Sequence, residues 1–339
     1  MFQRLQMLGR GQRLFIFIMI FGGGLALLIA LTLLLLTFSL NTAPRAQGEP
    51  LVEGITVTEY VTLPDDDAYP AAVAVALDGT VYTGSYETGV VWEVDPDGRL
   101  RELPDTRELI GSVTGIDVGP DGVLYVLDRL VSNPRSQGGV LWRFRPGESP
   151  ESFGAIDDEQ GFVSPNDVVV APDGTVYVTD RGRREVWRFD PDGTASLFWS
   201  LAEDDPDYEN VLLTGLVYDA DGDALLVTDS GLNSIYRITP DGAGERIYLH
   251  NPADALPVFD GLAIGPDDTL YIGALEAGVV AIRDGEFIPL AINFRGASDV
   301  AYNANRLFVT NFDSASLVNP LVNPQLPFAL DVIELGEWP

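Results

Sequence analysis

Cysteine and lysine are both missing from the 339-residue chain, and histidine occurs once, at His250. The absence of cysteine excludes disulfides, thiolate metal sites and cysteine nucleophiles. A single histidine excludes any metal site or proton relay that needs two imidazoles. Because no disulfide can cross-link the chain, its fold must be stabilised by the core alone.

Acidic residues outnumber basic residues by 51 to 20, which gives a formal net charge of -31. Every basic residue is an arginine. This charge repels nucleic-acid phosphates and anionic lipid head groups, so no nucleic acid is expected to bind the soluble part of the chain. Cations and basic partners are favoured instead.

An apolar run occupies residues 14–40 and is interrupted only by small or weakly polar residues. As a helix it would be roughly 40 Å long at about 1.5 Å per residue, more than a hydrocarbon core of ~30 Å requires. Arg4, Arg10 and Arg13 precede the run with no acid among them. By the positive-inside rule, the N-terminus is expected in the cytoplasm and the rest of the chain on the extracytoplasmic side of the cell membrane.

A cleaved signal peptide is the alternative interpretation of this run. The apolar core of such a peptide is usually about 7–15 residues long and ends at a small-residue cleavage site. The run is longer, and residues 41–46 form a poor cleavage site, so a single-pass anchor is favoured. We therefore predict a cytoplasmic segment 1–13, a transmembrane anchor 14–40, a flexible stalk 41–50 and one domain over 51–339.

One unit recurs throughout the domain, and its clearest copy begins at Pro165 and ends at Asp180. The unit is an apolar strand, a tight Asp-Gly-type turn, a second strand ending in Thr-Asp or similar, and a third strand with an aromatic residue. The turns lie at Asp78, Asp121, Asp173, Asp221, Asp267 and Ala304. Intervals of roughly 40 to 50 residues are typical of propeller blades with four strands each. The sequence therefore predicts an all-β, six-bladed β-propeller that follows a single N-terminal transmembrane helix.

Two further features agree with a closed ring of blades. The aromatic residues of the third strands recur in four blades, which indicates packing between blades rather than stacking on one cofactor. Residues 55–61 form a strand ahead of the first repeat, and the last repeat lacks an outer strand after residues 332–335. Pairing of the two would close the ring and remove its exposed sheet edges.

One face of the predicted propeller carries long connections, whereas the other carries the tight turns. The long connections are residues 104–112, 155–164, 201–213, 250–259 and 311–327. Binding and catalytic residues concentrate on such loops. The acidic runs at 157–159 and 203–207 are interpreted as a solvated rim.

The innermost strands should point their first residues into the central tunnel at this long-loop face. These residues are Ala71, Thr114, Asn166, Thr214, Asp260 and Ser298, and the next position adds Asp167 and Asp299. Converging carboxylate and amide oxygens suit a divalent cation, with Ca²⁺ favoured. We predict Asn166, Asp260 and Asp299 as metal ligands. The alternative is that Asn166 and Asp260 only cap the starts of their strands. His250, which begins the loop leading to Asp260, is either a loop base or simply solvated.

These motifs resemble the gluconolactonase family, which includes senescence marker protein and luciferin-regenerating enzyme, and more distantly strictosidine synthase-like and NHL-type propellers. The resemblance covers roughly residues 70 to 310 and implies hydrolysis of sugar lactones and similar esters with one divalent cation in the tunnel. Pro165-Asn166-Asp167 matches an asparagine ligand position. Phe259-Asp260-Gly261 matches the motif of the aspartate, so the resemblance implies that Asp260 is both ligand and catalytic base. Thr214 stands at a second asparagine position, and Ala71 stands where the family has a glutamate.

Because two of the four implied ligands are replaced, the sequence favours a module that binds a small-molecule ligand or a protein of a membrane complex. The alternative function is a divalent-cation-dependent lactone or ester hydrolase. A structural role within a larger membrane complex, through the anchor helix, is a third hypothesis.

Overall fold

The computed structural model describes residues 9–42, 45–133, 135–251, 257–319, 321–336 and 338. Some predictions fall outside these residues: Arg4 of the cytoplasmic segment, positions 43–44 of the stalk and parts of two long loops. Two compact units are present. One comprises Met1–Arg45 and Ala315–Gln325, and the other comprises Ala46–Ser314 and Leu326–Pro339.

The first unit contains the N-terminal helix α1 (Arg10–Thr42), which includes the predicted anchor. The stretch Arg10–Leu36 is long and apolar enough to cross a membrane. A signal sequence near the N-terminus can also form a long apolar helix, so the presence of the helix alone does not separate the two interpretations.

The remaining elements are strands with a few short helices. The chain enters the second unit through β1 (Glu49–Pro50) and β2 (Thr56–Thr62). Next come β3 (Pro70–Val75), β4 (Val81–Ser85), β5 (Val91–Val94), β6 (Leu100–Glu102), α2 (Thr106–Leu109), β7 (Val113–Val118), β8 (Leu124–Asp128), β9 (Val140–Phe144) and β10 (Glu151–Ser152). The middle of the chain forms β11 (Pro165–Val170), β12 (Val176–Asp180), β13 (Glu185–Phe189), β14 (Ala195–Ser200), β15 (Leu213–Asp219), β16 (Ala224–Asp229), β17 (Ser234–Ile238) and β18 (Gly244–Leu249). The last elements are β19 (Leu262–Ile264), β20 (Leu270–Gly273), β21 (Val279–Arg283), β22 (Glu286–Ile292), β23 (Val300–Asn303), β24 (Arg306–Thr310), α3 (Ser314–Val318) and β25 (Ala329–Glu334).

The strands form six antiparallel sheets, which are the six blades of a β-propeller, as predicted. Blades 1 to 5 each contain four consecutive strands, beginning with β3–β6 and ending with β19–β22, and blade 5 has β1 as a fifth strand. Blade 6 combines β23, β24 and β25 with β2. The innermost strand of each blade contacts the innermost strand of the next, and β23 contacts β3, so the ring is closed.

The hairpin turns within the blades follow from their Asp-Gly sequences. The carboxylate of Asp173 accepts a hydrogen bond from the backbone N–H of Thr175 at 2.9 Å, two residues further along the chain. Gly174 between them has a φ of 85°, a conformation that favours glycine. Asp78 and Thr80 repeat the same hydrogen bond at 2.9 Å in blade 1. The turns in different blades therefore form for the same reason, the hydrogen bond from the backbone to the aspartate side chain.

The predicted closure of the ring is confirmed. β2 pairs with β25 in antiparallel register, from Thr56 opposite Glu334 to Thr62 opposite Ala329. The structure adds a contact that the sequence did not indicate. β1, within the range predicted to be a stalk, pairs with β22 as a fifth strand of blade 5.

The core lies between neighbouring blades rather than within one blade. Trp187 of blade 3 packs in one buried cluster with Tyr125 of blade 2 and with Phe189. Trp92 of blade 1 is 1% exposed. Burying a large apolar side chain contributes about 1.5–3 kcal/mol, so these residues hold adjacent blades together. This agrees with the predicted role of the third-strand aromatics.

Candidate functional site at the long-loop end of the tunnel

The innermost strands enclose a cavity of about 50 Å³ where they begin, at the long-loop face. Six of the predicted site residues line it: Thr114, Asn166, Asp167, Asp260, Ser298 and Asp299. Thr214 is not among the lining residues. Its hydroxyl donates a 3.0 Å hydrogen bond to the carbonyl oxygen of Phe259, and it is 3% exposed. The structure therefore brings together all but one of the tunnel residues predicted from the sequence.

Asn166 and Asp260 face this cavity with free side chains. In the described part of the chain, neither side chain has a hydrogen-bond partner, although both lie at the starts of innermost strands. The alternative that they cap these strand starts is therefore not supported. Burial raises the pKa of the Asp260 carboxyl to about 7, and the positive charge of Arg181 opposes this rise.

Asp167 and Asp299 have a different role, because both link neighbouring blades. The Asp167 carboxylate accepts hydrogen bonds from the backbone N–H groups of Val168 and, in blade 4, Leu216, each at 2.8 Å. Asp299 does the same for Val300 and, in blade 1, Val73, again at 2.8 Å. Each carboxylate thus joins two innermost strands.

These two aspartates also separate the cavity from a second one of about 180 Å³ further along the tunnel, which both line together with Asp117. Burial raises the pKa of Asp167 to about 8, and the charges of Asp260 and Asp117 add to the rise. Burial and the charge of Asp167 likewise raise the pKa of Asp299 well above its usual value. The tunnel therefore holds several carboxyls that disfavour one another's ionisation.

Hydroxyl groups in alternate blades complete the tunnel wall. Thr114 in blade 2 donates to the carbonyl oxygen of Pro165 in blade 3 at 3.3 Å. Ser298 in blade 6 donates to the carbonyl oxygen of Ala71 in blade 1 at 2.9 Å. Together with Thr214, these residues connect blades through side-chain to backbone hydrogen bonds. These hydroxyl groups have a structural role, whereas Asn166 and Asp260 are available to a ligand.

The mouth of the cavity contains residues that the sequence did not single out. Aspartates at the ends of second strands anchor the loops there: Asp180 accepts hydrogen bonds from the backbone N–H groups of Val163 and Ser164 at 2.7 and 2.9 Å. The residue that follows the second strand is Arg181 in blade 3 and Tyr86 in blade 1. Tyr86 lines the cavity. The repeated Thr-Asp ending of the second strands could have drawn attention to the residues that follow them. That Tyr86 lines the same cavity as Asn166 and Asp260 is seen only in the closed ring.

Tyr86 and Phe312 form the aromatic part of the mouth. Both line the cavity, and their rings meet edge to face with centroids 5.1 Å apart. Burial raises the pKa of the Tyr86 phenol, and the charges of Arg129 and Arg181 oppose the rise. Both arginines are therefore close enough to interact electrostatically with the mouth.

The structure places His250 away from the cavity. Its side chain is 4% exposed and packs against Phe287, with ring centroids 4.6 Å apart. The Tyr248 hydroxyl lies 3.2 Å from its Nδ1 atom. His250 is not among the residues that line the tunnel cavity. The structure does not bring this predicted loop base together with Asp260.

The acidic rim is partly fixed by arginines rather than only solvated. Asp158 forms an ion pair with Arg183 at 2.7 Å, and the hydrogen bond from that guanidinium lowers the pKa of Asp158 to about 2. Asp207 pairs with Arg246 at 2.7 Å. These acids hold loops in place, so their presence does not by itself indicate a cation site.

The donor set does not fit a tightly held cation. Ca²⁺ takes about 6–8 oxygen ligands. Within the described ranges, no group of three or more His, Cys, Asp or Glu side chains is arranged to hold a metal ion. Asn166 and Asp260 offer free oxygens, but both carboxylate oxygens of Asp299 already accept backbone N–H groups. The cation therefore stays a prediction.

Comparison with known proteins agrees with this geometry. The family model described as the SMP-30/gluconolactonase/LRE-like region matches residues 105–310. The chain belongs to this family. The match covers the innermost strands of blades 2 to 6, including Asn166 and Asp260.

Solved structures show the same fold. A gluconolactonase from Xanthomonas campestris matches with a TM-score of 0.61 and 19% identity over 87% of this chain and 96% of that one. A putative gluconolactonase matches with a TM-score of 0.61 and 20% identity, covering 85% and 97%. Virginiamycin B lyase from Staphylococcus aureus matches with a TM-score of 0.55 and 18% identity, covering 76% and 82%. A comparison with curated proteins gives no significant match.

Proposed function

We propose that the propeller binds a small lactone or ester at the long-loop end of its tunnel and hydrolyses it, with Asp260 as the general base. One observation carries this proposal. Asn166 and Asp260 face the same cavity, and neither side chain has a hydrogen-bond partner among the described residues. Unpartnered polar groups in a dry cavity are costly unless a ligand or water pairs with them. Membership of the gluconolactonase-like family supports the choice of lactones and esters.

The chemistry follows from the two side chains. Near neutral pH, an Asp260 carboxyl with a pKa of about 7 is partly ionised and can accept a proton from water. The water oxygen then bonds to the carbonyl carbon of the lactone, and the amide N–H of Asn166 donates to the carbonyl oxygen as negative charge develops there. The ring C–O bond breaks, and the proton passes from Asp260 to the leaving oxygen. The product is the open hydroxy acid.

The test uses the full chain in a mild detergent. Hydrolysis of D-glucono-1,4-lactone and of 4-nitrophenyl acetate would be followed for the wild type, Asp260→Asn and Asp97→Asn. Removing a general base typically costs 10²–10⁴-fold in rate, so kcat for Asp260→Asn is expected to fall at least ~100-fold. Asp97 is an exposed residue in a hairpin turn, so its variant should match the wild type. A wild type that hydrolyses neither substrate would contradict the proposal.

Ligand binding without turnover is the second candidate function. Ala71 lines the cavity where the family resemblance implies a glutamate, and the side chain of Thr214 is committed to a hydrogen bond with Phe259. The cavity, at about 50 Å³, has room for one or two waters or one functional group of a ligand. This function would be supported if Asp260→Asn abolished ligand binding measured by calorimetry while the wild type showed no hydrolysis.

We also propose that the helix Arg10–Leu36 anchors the propeller in the cell membrane, with the N-terminus in the cytoplasm. The length of the apolar stretch and the arginines ahead of it support this arrangement. An anchored propeller would act on ligands outside the cytoplasm.

A further inference from the structure

Arg181 follows the second strand of blade 3 and forms no ion pair with any described residue. Within the same residues its guanidinium forms no hydrogen bond either, and the side chain is exposed. Arg183, two residues later, is paired with both Asp158 and Glu185. In a chain with a net charge of -31, acids are abundant, so an unpaired arginine beside a cavity is available to bind an anion.

The backbone fixes Arg181 next to the strand that carries Asn166. Its N–H donates a 3.0 Å hydrogen bond to the carbonyl oxygen of Ser164, two residues before Asn166. In blade 2, Arg129 holds the equivalent place, and its N–H donates to the carbonyl oxygen of Ser112 at 2.9 Å. Two adjacent blades therefore each place an arginine just outside the ring of residues that lines the cavity.

The same position in blade 1 is held by a residue that lines the cavity. Tyr86 follows the second strand of blade 1 as Arg129 and Arg181 follow theirs, and Tyr86 lines the cavity. Arg129 is 6% exposed, and its guanidinium also donates to the carbonyl oxygen of Ser136 at 3.3 Å, which fixes its position. Tyr86 and Phe312 line the mouth, and Arg129 and Arg181 hold the strand-end positions of blades 2 and 3 that Tyr86 holds in blade 1. Their positive charges oppose the rise in the pKa of Tyr86, and that of Arg181 also opposes the rise in the pKa of Asp260.

We propose that the substrate is an anionic lactone or ester, whose carboxylate binds Arg181 and Arg129 at the mouth while its carbonyl group lies between Asn166 and Asp260. Arginine binds carboxylates through two parallel hydrogen bonds, which fixes orientation as well as adding affinity. The arginines also offset the repulsion that an acidic protein exerts on an approaching anion. This inference rests on the proposed hydrolysis of a lactone or ester at the same cavity.

Two lactones that differ at one group test the inference. D-glucaro-1,4-lactone carries a carboxylate where D-glucono-1,4-lactone carries a hydroxymethyl group, and the ring is otherwise the same. The measured quantity is the ratio of kcat/KM for the two lactones with the full chain in detergent. We expect the wild type to prefer glucarolactone by roughly 10- to 100-fold, the scale of a charge-assisted pair.

Three variants test whether Arg181 is the residue responsible for the preference for glucarolactone. Arg181→Gln should reduce the ratio at least ~10-fold, mainly through a higher KM for glucarolactone, while Arg181→Lys keeps the charge and part of the preference. Arg99→Gln is the control, because it removes the same charge from a hairpin turn on the opposite face, and its ratio should equal that of the wild type. Equal ratios for wild type and Arg181→Gln would overturn the inference while leaving the hydrolase function intact.

Calorimetry separates failure of the inference from failure of the proposed function. In one outcome neither lactone is hydrolysed, but glucarolactone binds, gluconolactone does not bind, and Arg181→Gln abolishes the binding of glucarolactone. In that case the recognition of an anion is supported and the catalytic function is contradicted. If neither lactone is hydrolysed or bound, the inference is overturned as well.

Discussion

The carboxylate of Asp299 in blade 6 accepts a 2.8 Å hydrogen bond from the backbone N–H of Val73 in blade 1, across the junction where the ring closes. Its other oxygen accepts the N–H of Val300 in its own strand. The ring is therefore closed twice, by the pairing of β2 with β25 at the outer edge and by this aspartate beside the tunnel. A residue predicted from its position to bind a metal thus has a structural task as well.

The first prediction is that Asp299→Ala destabilises the propeller. The substitution removes the acceptor for two backbone N–H groups, and each buried donor left without a partner costs about 1–3 kcal/mol. The free energy of unfolding in urea should fall by roughly 2–4 kcal/mol at pH 6. Asp97→Ala, at an exposed turn, should stay within about 0.5 kcal/mol of the wild type. A loss no larger for Asp299→Ala than for Asp97→Ala would show that the hydrogen bond to Val73 does not hold the ring.

The second prediction concerns the pH dependence of stability. The pKa of Asp167 is raised from 3.8 to about 8 in the folded chain, chiefly by burial. A raised pKa means that the folded state binds the proton more tightly than the unfolded state, so stability is fully present below about pH 4 and is lost as pH rises through about 8. Asp260, with a pKa of about 7, acts in the same direction.

The comparison is made between pH 6 and 8, where most exposed acids are already ionised. The urea midpoint of the wild type should fall over this window. Asp167→Asn, which cannot ionise, should show a shallower decrease. Because the backbone donors of Val168 and Leu216 favour the ionised form, parallel pH profiles for the two proteins would mean that these hydrogen bonds outweigh the cost of burial.

The third prediction distinguishes an anchor from a signal sequence. If Arg10–Leu36 stays in the mature protein, the full-length chain should remain in the membrane fraction after alkaline carbonate extraction, and detergent should release it. Intact mass should then include the N-terminal arginines. A soluble product whose mass begins beyond Leu36 would identify the helix as a cleaved signal sequence.

The fold could be predicted because the same turn and strand sequences recur along the chain. The contacts between neighbouring blades could not be predicted in this way. Asp-Gly turns at regular intervals indicated the blades, and strand starts indicated Asn166 and Asp260. Gly261, in contrast, belongs to the family motif around Asp260, but no physical reason for a glycine at this position is visible in the sequence. In the structure, a Cβ atom at Gly261 would lie 2.6 Å from the Cα of Asp299, so only glycine leaves room for the next blade. Such a contact joins residues far apart in the chain.

The residues at the mouth of the cavity could not be predicted from the sequence either. Arg181 could be read from the sequence only as the residue after a strand, because its approach to Tyr86 depends on how blades 1 and 3 are arranged around the ring. β1 was missed for a different reason. It has two residues, Glu49 and Pro50, and neither residue type favours a strand. Its pairing with blade 5 is determined by the neighbouring strand.

The fourth prediction is that two substitutions create a cation site where the native donor set is incomplete. Ala71 and Thr214 stand at the two positions where the family resemblance implies a glutamate and an asparagine. Ala71→Glu with Thr214→Asn would add a carboxylate and an amide oxygen to those of Asn166 and Asp260, which supplies the oxygen ligands that Ca²⁺ prefers. Calorimetric titration should show at least ~100-fold tighter Ca²⁺ binding for the double variant than for the native chain, a difference of about 2.7 kcal/mol.

Adding Asp260→Ala to the double variant is the control, because it removes the carboxylate that both sites share and should abolish the gain. Thr214 is hydrogen-bonded to Phe259, so unfolding in urea should confirm that the variant remains folded. If the native chain already binds Ca²⁺ as tightly as the double variant, waters and the existing oxygens suffice, and the cation predicted from the sequence is present after all. If a folded double variant gains no affinity, the innermost strands of this propeller hold the four positions too far apart for one ion, and hydrolysis in this tunnel must rely on Asp260 without a metal.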